Sequence, residues 1–207
     1  MLNLENKKIL LFDLDGTMAD TEPLHWTAYN ALLEDCGVHL TPENIRNYIG
    51  HSESAIYDMI KRDYGIDFDY QTFAGERLKK YLELVRKLNL RPRPFMEDIL
   101  RSFKGKMGIV TSQMPHIVKE LLKFWDYERF FPKAYVFCCH DGRLTKKGIY
   151  KNVFSAFGIA PCDMGSVVLF EDSLHYINEA KKLGMTVVGV EHTYNKGTLI
   201  NCDAILS

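Results

Sequence analysis

The sequence predicts an α/β fold in which a doubly wound parallel sheet carries an inserted all-helical domain, and three observations lead there. Short apolar runs, several of them β-branched, recur at Ile9–Phe12, 107–110, 134–137, 167–170 and Thr186–Val190. Such runs suit parallel strands buried on both faces. Helical spacing separates the later ones, through Ile117, Leu121 and Leu122, then Val153, Phe154 and Phe157, then Ile177, Ala180 and Leu183. That alternation builds a doubly wound sheet. The long interval between Phe12 and Met107, finally, shows helical patterns and no clear strand, as an insertion of helices would.

The first strand runs directly into Asp13-Leu14-Asp15-Gly16-Thr17. A chain turning at Gly16 brings both carboxylates toward one point beyond the strand's carboxyl end, where open α/β sheets place their ligands. Two acids beside a divalent cation suit phosphate chemistry, one attacking phosphorus and the other handling a proton.

The insertion reads as four helices. Pro23 fits the first turn of a helix with Leu24, Ala28, Ala31 and Leu32 on one stripe, ended near Gly37. Thr41-Pro42-Glu43 starts a second, and Ser52 caps a third with Ile56, Met59, Ile60 and Tyr64 inward. A fourth runs through Phe73, Leu78, Tyr81, Leu82, Val85 and Leu88. Arg91-Pro92-Arg93-Pro94 then halts the helix and returns the chain to the sheet, since a residue before proline avoids helical geometry. The expected division is a core of residues 1-17 and 91-207 and a helical domain of 18-90.

Composition sets outer limits. The 207 residues hold 26 basic and 27 acidic side chains, a net charge of −1, so no global field favours a nucleic acid polymer or an anionic membrane. The expected partner is a small soluble molecule. No signal pattern or membrane-spanning apolar stretch is evident, which makes the cytoplasm the expected location. The five cysteines, Cys36, Cys138, Cys139, Cys162 and Cys202, show no C-x-x-C spacing and are expected as reduced, buried thiols.

Three further groups fall near the ends of other strands. Thr111 and Ser112 end the second, offering a hydroxyl and N–H groups to an anion. Glu171-Asp172-Ser173 ends the fourth, and Lys146 and Lys147 open the helix before it. Together these supply oxygen ligands for a hard cation, donors for phosphate oxygens and a positive charge.

With these residues in this order, the chain resembles the haloacid dehalogenase (HAD) superfamily of phosphohydrolases, whose core is Rossmann-like. Asp20-Thr21-Glu22-Pro23-Leu24-His25, the helical insertion, and Glu171-Asp172-Ser173 followed by Ala180, Leu183, Gly184 and Met185 resemble the β-phosphoglucomutase-like branch with a helical C1-type cap. The resemblance implies that Asp13 is a nucleophile forming an aspartyl-phosphate and Asp15 the acid/base. It implies Mg²⁺ held by the Asp13 carboxylate, the Asp15 backbone carbonyl and Asp172, with Glu171 alongside. Thr111 and the Ser112 N–H would hold the phosphoryl group, and Lys146 would neutralise it. His25, near the hinge, and His51, between two cap helices, are the candidate substrate contacts. The chain departs from the family pattern at Thr145-Lys146-Lys147-Gly148, which lacks the family's prolines and leaves Lys147 as a rival to Lys146, and at Tyr176, where a glycine is common.

Plainer readings accompany these. Trp26 and the Phe124-Trp125 pair are expected to pack rather than to stack on bases, Arg77 and Lys79 on the last cap helix to be solvated rather than to reach the substrate, and His140-Asp141 to have no partner for a metal site. The resulting expectation is a magnesium-dependent phosphatase acting, as a monomer, on a small phosphorylated metabolite such as a sugar phosphate, polyol phosphate or nucleotide. A β-phosphoglucomutase-like phosphomutase is the nearest rival, and a metabolite-binding module without turnover is the rival from another class.

Overall fold

A computed structural model describes residues 4–49, 51, 53–138 and 146–207 of the chain. The expectations placed on Gly50, Ser52, Cys139, His140, Asp141 and Thr145 lie outside these residues, as do the side chains of Lys146 and Lys147. By its contacts the chain divides into two compact units, Thr21–Leu90 and the remainder, Met1–Asp20 with Arg91–Ser207. The helical unit therefore begins at Thr21 rather than at Met18.

The larger unit is built on six parallel strands: β1 (Ile9–Phe12), β2 (Lys106–Thr111), β3 (Val136–Cys138), β4 (Val167–Glu171), β5 (Thr186–Val190) and β6 (Ala204–Leu206). Their order is β3-β2-β1-β4-β5-β6. The chain winds outward from β1 through β2 to β3, then starts again at β4 on the other side of β1. The winding thus reverses between β1 and β4, and a crevice opens beyond the carboxyl ends of such a pair.

Why the centre of the sheet forms follows from its side chains. β1 and β4 are buried along their whole length. On one face Phe12 stacks on Phe170 at 4.8 Å between ring centroids and meets Phe131 edge-on at 5.8 Å. On the other, Ile9, Leu11, Leu169 and Val187 pack with Tyr150, Val153 and Ile177. Removing a buried ring of this kind costs about 3–5 kcal/mol.

The edges depart from the expectation of burial on both faces. β3 is half-buried because it pairs only with β2, and Ala134 and Tyr135, expected within it, form a 3₁₀ turn instead (Lys133–Tyr135). β6 was not expected from the sequence: it is three residues long, with Ile205 exposed, and its register comes from β5. The segment after Arg91 also differs. It enters another helix, α5 (Pro94–Ser102), before reaching β2, because Pro94 occupies the first turn, where a missing N–H costs nothing. The remaining helices of this unit are α6 (Pro115–Phe124), α7 (Lys146–Phe157) and α8 (Leu174–Lys182).

The smaller unit holds α1 (Glu22–Leu33), α2 (Pro42–Tyr48), α3 (Glu53–Tyr64) and α4 (Tyr70–Lys87). Pro23 lies in the first turn of α1, and a left-handed Gly37 ends the 3₁₀ turn that follows it. Thr41 caps α2, accepting from the Asn44 N–H while the Asn44 side chain accepts from the Thr41 N–H at 2.9 Å. Trp26 is buried and stacks on Tyr29 at 5.2 Å, a packing role. Leu88, assigned to the inner stripe, is exposed because α4 ends at Lys87.

The described cysteines are free thiols, but Cys36 and Cys162 are exposed rather than buried. Burial pushes the Cys138 thiol up to about 11, so it stays protonated and unreactive. Among the described residues no helix is long and apolar enough to cross a membrane.

Candidate active site

Asp13 directly follows β1, and its N–H donates to the Phe170 carbonyl at 2.9 Å, which holds it level with β4. The last β1–β4 pair is Phe12 with Phe170, and Asp13 and Glu171 are the next residues along the two neighbouring chains. Sheet register therefore sets two acids side by side, and Asp172 adds a third. One carboxylate oxygen from each lies within 4.8 Å of the others, with Asp13 and Glu171 buried and Asp172 half-buried.

Three carboxylates this close and this far from water repel one another strongly unless a cation sits among them. An all-oxygen donor set suits a hard divalent ion, which keeps waters in its remaining positions. The residues present thus fit a magnesium-type site.

The turn after β1 is shaped to the same purpose. Gly16 has φ +72°, and a Cβ there would fall 2.5 Å from Asp172 Oδ2, so only glycine lets the turn pass this carboxylate. Thr17 Oγ1 donates to Asp172 Oδ1 at 3.0 Å. Arg93 Nη2 donates to the Gly16 carbonyl at 3.0 Å. Burial pulls the guanidinium below its ordinary pKa, opposed by the negative charges of Asp20 and Asp172, and it remains a cation.

Asp15 is handled differently. Its Oδ2 accepts from Gln113 Nε2 at 2.9 Å, so its side chain is tied to the end of β2, outside the three-carboxylate group. The donor expected of Asp15 toward a metal is its backbone carbonyl. Gln113 is itself well placed: its Oε1 accepts from the Met114 N–H at 3.0 Å and its N–H donates to Thr111 Oγ1 at 3.1 Å. Thr111 is buried and Ser112 exposed. Sequence reasoning missed Gln113, since a lone amide after a strand carries no pattern. Lys146 is the first residue of α7.

The two histidines expected to touch substrate lie in the helical unit. His51 is exposed. His25 stacks on Tyr81 at 4.0 Å, and its Nδ1 accepts from Arg77 Nη1 at 2.8 Å. A guanidinium only donates, so the ring of neutral His25 carries its proton on Nε2. Arg77 also binds Glu53 Oε1 through Nε at 2.6 Å and Nη2 at 2.5 Å, and its guanidinium carbon lies 5.2 Å from the centroid of the Tyr29 ring. Arg77 is buried, not solvated as expected. A signal existed, because Phe73, Arg77 and Tyr81 share one face of α4 at i, i+4 spacing. Lys79 is exposed and pairs with Glu76 at 3.7 Å.

A separate cavity of about 520 Å³ lies at the opposite, amino end of the sheet, lined by Lys7, Lys8, Lys104 and Lys106 among others. Lys7 Nζ donates to the Gly165 carbonyl and Thr186 Oγ1, both at 2.7 Å.

Comparison with known proteins agrees with this geometry. Residues 10–190 match the haloacid dehalogenase-like hydrolase family. The chain belongs to it. A phosphorylated carbohydrates phosphatase of Thermotoga maritima is 29% identical over 197 residues, covering 91% of this chain and 87% of that protein. A phosphoglycolate phosphatase of Neisseria meningitidis is 25% identical over 208 residues, covering 97% and 87%. Among solved structures, CbbY from Rhodobacter sphaeroides in complex with phosphate superposes with a TM-score of 0.80 at 19% identity, covering 97% of this chain and 93% of that one, and so shares the fold. The family is one of hydrolases, and both of these relatives are named as phosphatases.

Proposed function

We propose that this enzyme is a Mg²⁺-dependent phosphatase of a small phosphorylated metabolite, working through an aspartyl-phosphate on Asp13. The observation that carries the reading is the meeting of Asp13, Glu171 and Asp172 at the reversal of the sheet, with Asp15 held next door by Gln113. Asp13, Glu171, Asp172 and the Asp15 carbonyl would hold the ion, which when bound offsets the negative charge of phosphoryl oxygens and carboxylates.

The chain's own groups supply the rest. Asp13 attacks phosphorus, and Asp15 gives its proton to the departing oxygen. Asp15 then takes a proton from the water that cleaves the acyl phosphate, returning Asp13 to its carboxylate. A donor amide on Asp15 suits a residue that must hold one geometry through both steps. Thr111, the Ser112 N–H and Lys146 are assigned to the phosphoryl oxygens, and His25 and His51 to the rest of the substrate. The helical unit is assigned the part of a cap that limits substrate size and excludes water. The names of the relatives support phosphorylated carbohydrates and phosphoglycolate as the first substrates to try. On the same reading the enzyme works as a cytoplasmic monomer.

Release of inorganic phosphate from sugar phosphates, polyol phosphates, phosphoglycolate and nucleotides, with Mg²⁺ or with chelator, tests this directly. Mg²⁺-dependent release is expected, and Asp13→Asn should reduce it by about a thousandfold or more while leaving the melting temperature near that of the parent. Isomerisation of sugar phosphates without release would replace the reading with a mutase; substrate binding without either reaction would replace it with a binding module.

A further inference from the structure

We propose that His192, on the loop after β5, is a positioning residue that orients Asp172 as a metal ligand. The inference rests on the metal-site reading above and adds a residue to it.

His192 is 6% exposed, and its Nδ1 accepts from the Tyr194 N–H at 3.1 Å. A backbone N–H can only donate, so Nδ1 presents a lone pair and the ring's single proton sits on Nε2. Nε2 lies 3.2 Å from Asp172 Oδ2. The ring therefore sets an N–H beside that carboxylate oxygen, while Thr17 Oγ1 donates to the other at 3.0 Å. A carboxylate on a short side chain is free to turn about its last bond. Donors on both oxygens fix its plane, and each oxygen keeps further lone-pair capacity for a cation.

The loop that carries His192 is itself secured to the residue it serves. Asn195 accepts from the His192 N–H through Oδ1 at 2.7 Å and donates through Nδ2 to the Asp172 carbonyl at 2.8 Å. One side chain thus couples the histidine's backbone to the aspartate's backbone. On the far side, the bare Gly16 leaves the space: a Cβ there would lie 2.5 Å from Asp172 Oδ2 and 3.3 Å from His192 Cδ2. His192, Asn195, Thr17 and Gly16 form a cradle around a single carboxylate. Burying a histidine and tying down its loop in this way is more than packing requires of a strand terminus.

Hydrogen-bond partners of metal ligands typically contribute 10- to 100-fold in metal affinity. The test measures Mn²⁺ and Mg²⁺ binding to the chelator-treated protein, by calorimetry and by the Mn²⁺ paramagnetic resonance signal, with no substrate present. His192→Ala should weaken binding about 10- to 100-fold, whereas His192→Gln, which returns an N–H donor, should recover most of that loss. In turnover, the alanine variant should need more Mg²⁺ for half-maximal rate and approach the parent rate at saturating metal. Circular dichroism and melting curves show whether each variant is folded, and the glutamine variant serves if alanine unfolds the loop. Asp172→Asn separates the two levels of the argument. Parent protein that binds neither ion, or binds regardless of Asp172→Asn, overturns the metal-site reading. Binding lost with Asp172→Asn but unchanged in His192→Ala, or equally weak in His192→Ala and His192→Gln, overturns the role given to His192.

Discussion

The two ends of the parallel sheet both gather like charges, and they gather them in opposite ways. At the carboxyl end, Asp13, Glu171 and Asp172 are drawn inside within 4.8 Å of one another. At the amino end, Lys8, Lys104 and Lys106 stand exposed around an open cavity, with the half-buried Lys7 beside them. The lysines act locally. Lys7 binds a carbonyl and a hydroxyl, Lys106 reaches the Phe157 carbonyl at 3.4 Å, and Lys8 lies 3.8 Å from Asp163. Water and salt screen what repulsion remains. Solvent screens the acids less, because Asp13 and Glu171 are buried. Like charge clustered at a strand end thus points to chemistry when it is buried and to solubility when it is exposed.

The comparison breaks most visibly if lysines at the two ends prove equivalent. Lys146→Ala, at the start of α7, is expected to lower kcat/KM by about 100- to 1000-fold through loss of a cation stabilising transferring phosphate. Lys104→Ala and Lys106→Ala should each stay within about twofold of the parent, since exposed charges at the amino end contribute little, and Lys147→Ala is expected to cost far less than Lys146→Ala. A large loss in Lys147→Ala with little in Lys146→Ala would move the catalytic position by one residue.

A smaller effect sharpens the carboxyl end alone. Gly16→Ala forces a left-handed backbone onto an L side chain and drives a methyl into Asp172. The expected cost is about 1–3 kcal/mol, a fall of several degrees in melting temperature at roughly 2–4 °C per kcal/mol. It should come with weaker metal binding. An unchanged melting temperature and metal affinity would show that the turn tolerates a Cβ.

The smallest effect belongs to the amino end, where Asp203 precedes β6. Burial favours raising its carboxyl pKa, but two contacts from Lys181 Nζ at 2.7 and 2.8 Å, the Val187 N–H at 2.7 Å and the charge of Lys7 outweigh burial and hold it below the ordinary value. A carboxyl depressed in the folded state contributes stability above its unfolded pKa, near 3.9, and loses it as pH falls through the lower folded value. The melting-temperature gap between the parent and Asp203→Asn should therefore be present at pH 6 and narrow as pH falls from about 4 to 2. A gap that widens over that range would reverse the assigned sign.

How far the molecule was legible before folding varies with the kind of residue. The central strands β1, β4 and β5 could be read because burial on both faces makes their sequences continuously apolar. β6 and α5 could not: β6 is a three-residue edge whose pairing is set by β5, and α5 begins at a proline that looks equally like a stop. The acids at strand ends were visible because the chain places them directly after apolar runs. Gln113 and His192 carry no such mark, since each is defined by a partner, Asp15 and Asp172, that the sequence separates from it. Arg77 is the instructive error. Charge suggested solvent, and burial beside Glu53 and His25 overruled it.

By itself, then, the sequence determined the α/β class, the helical insertion and the acids at the ends of the central strands, because periodicity, turn residues and strand termini are properties of neighbouring residues. Tertiary structure alone decided which acids meet, which oxygen each donor serves and which charged groups are buried. Those outcomes depend on strand order and register, which bring together side chains as distant as Thr17 and Asp172, and no local pattern encodes that distance.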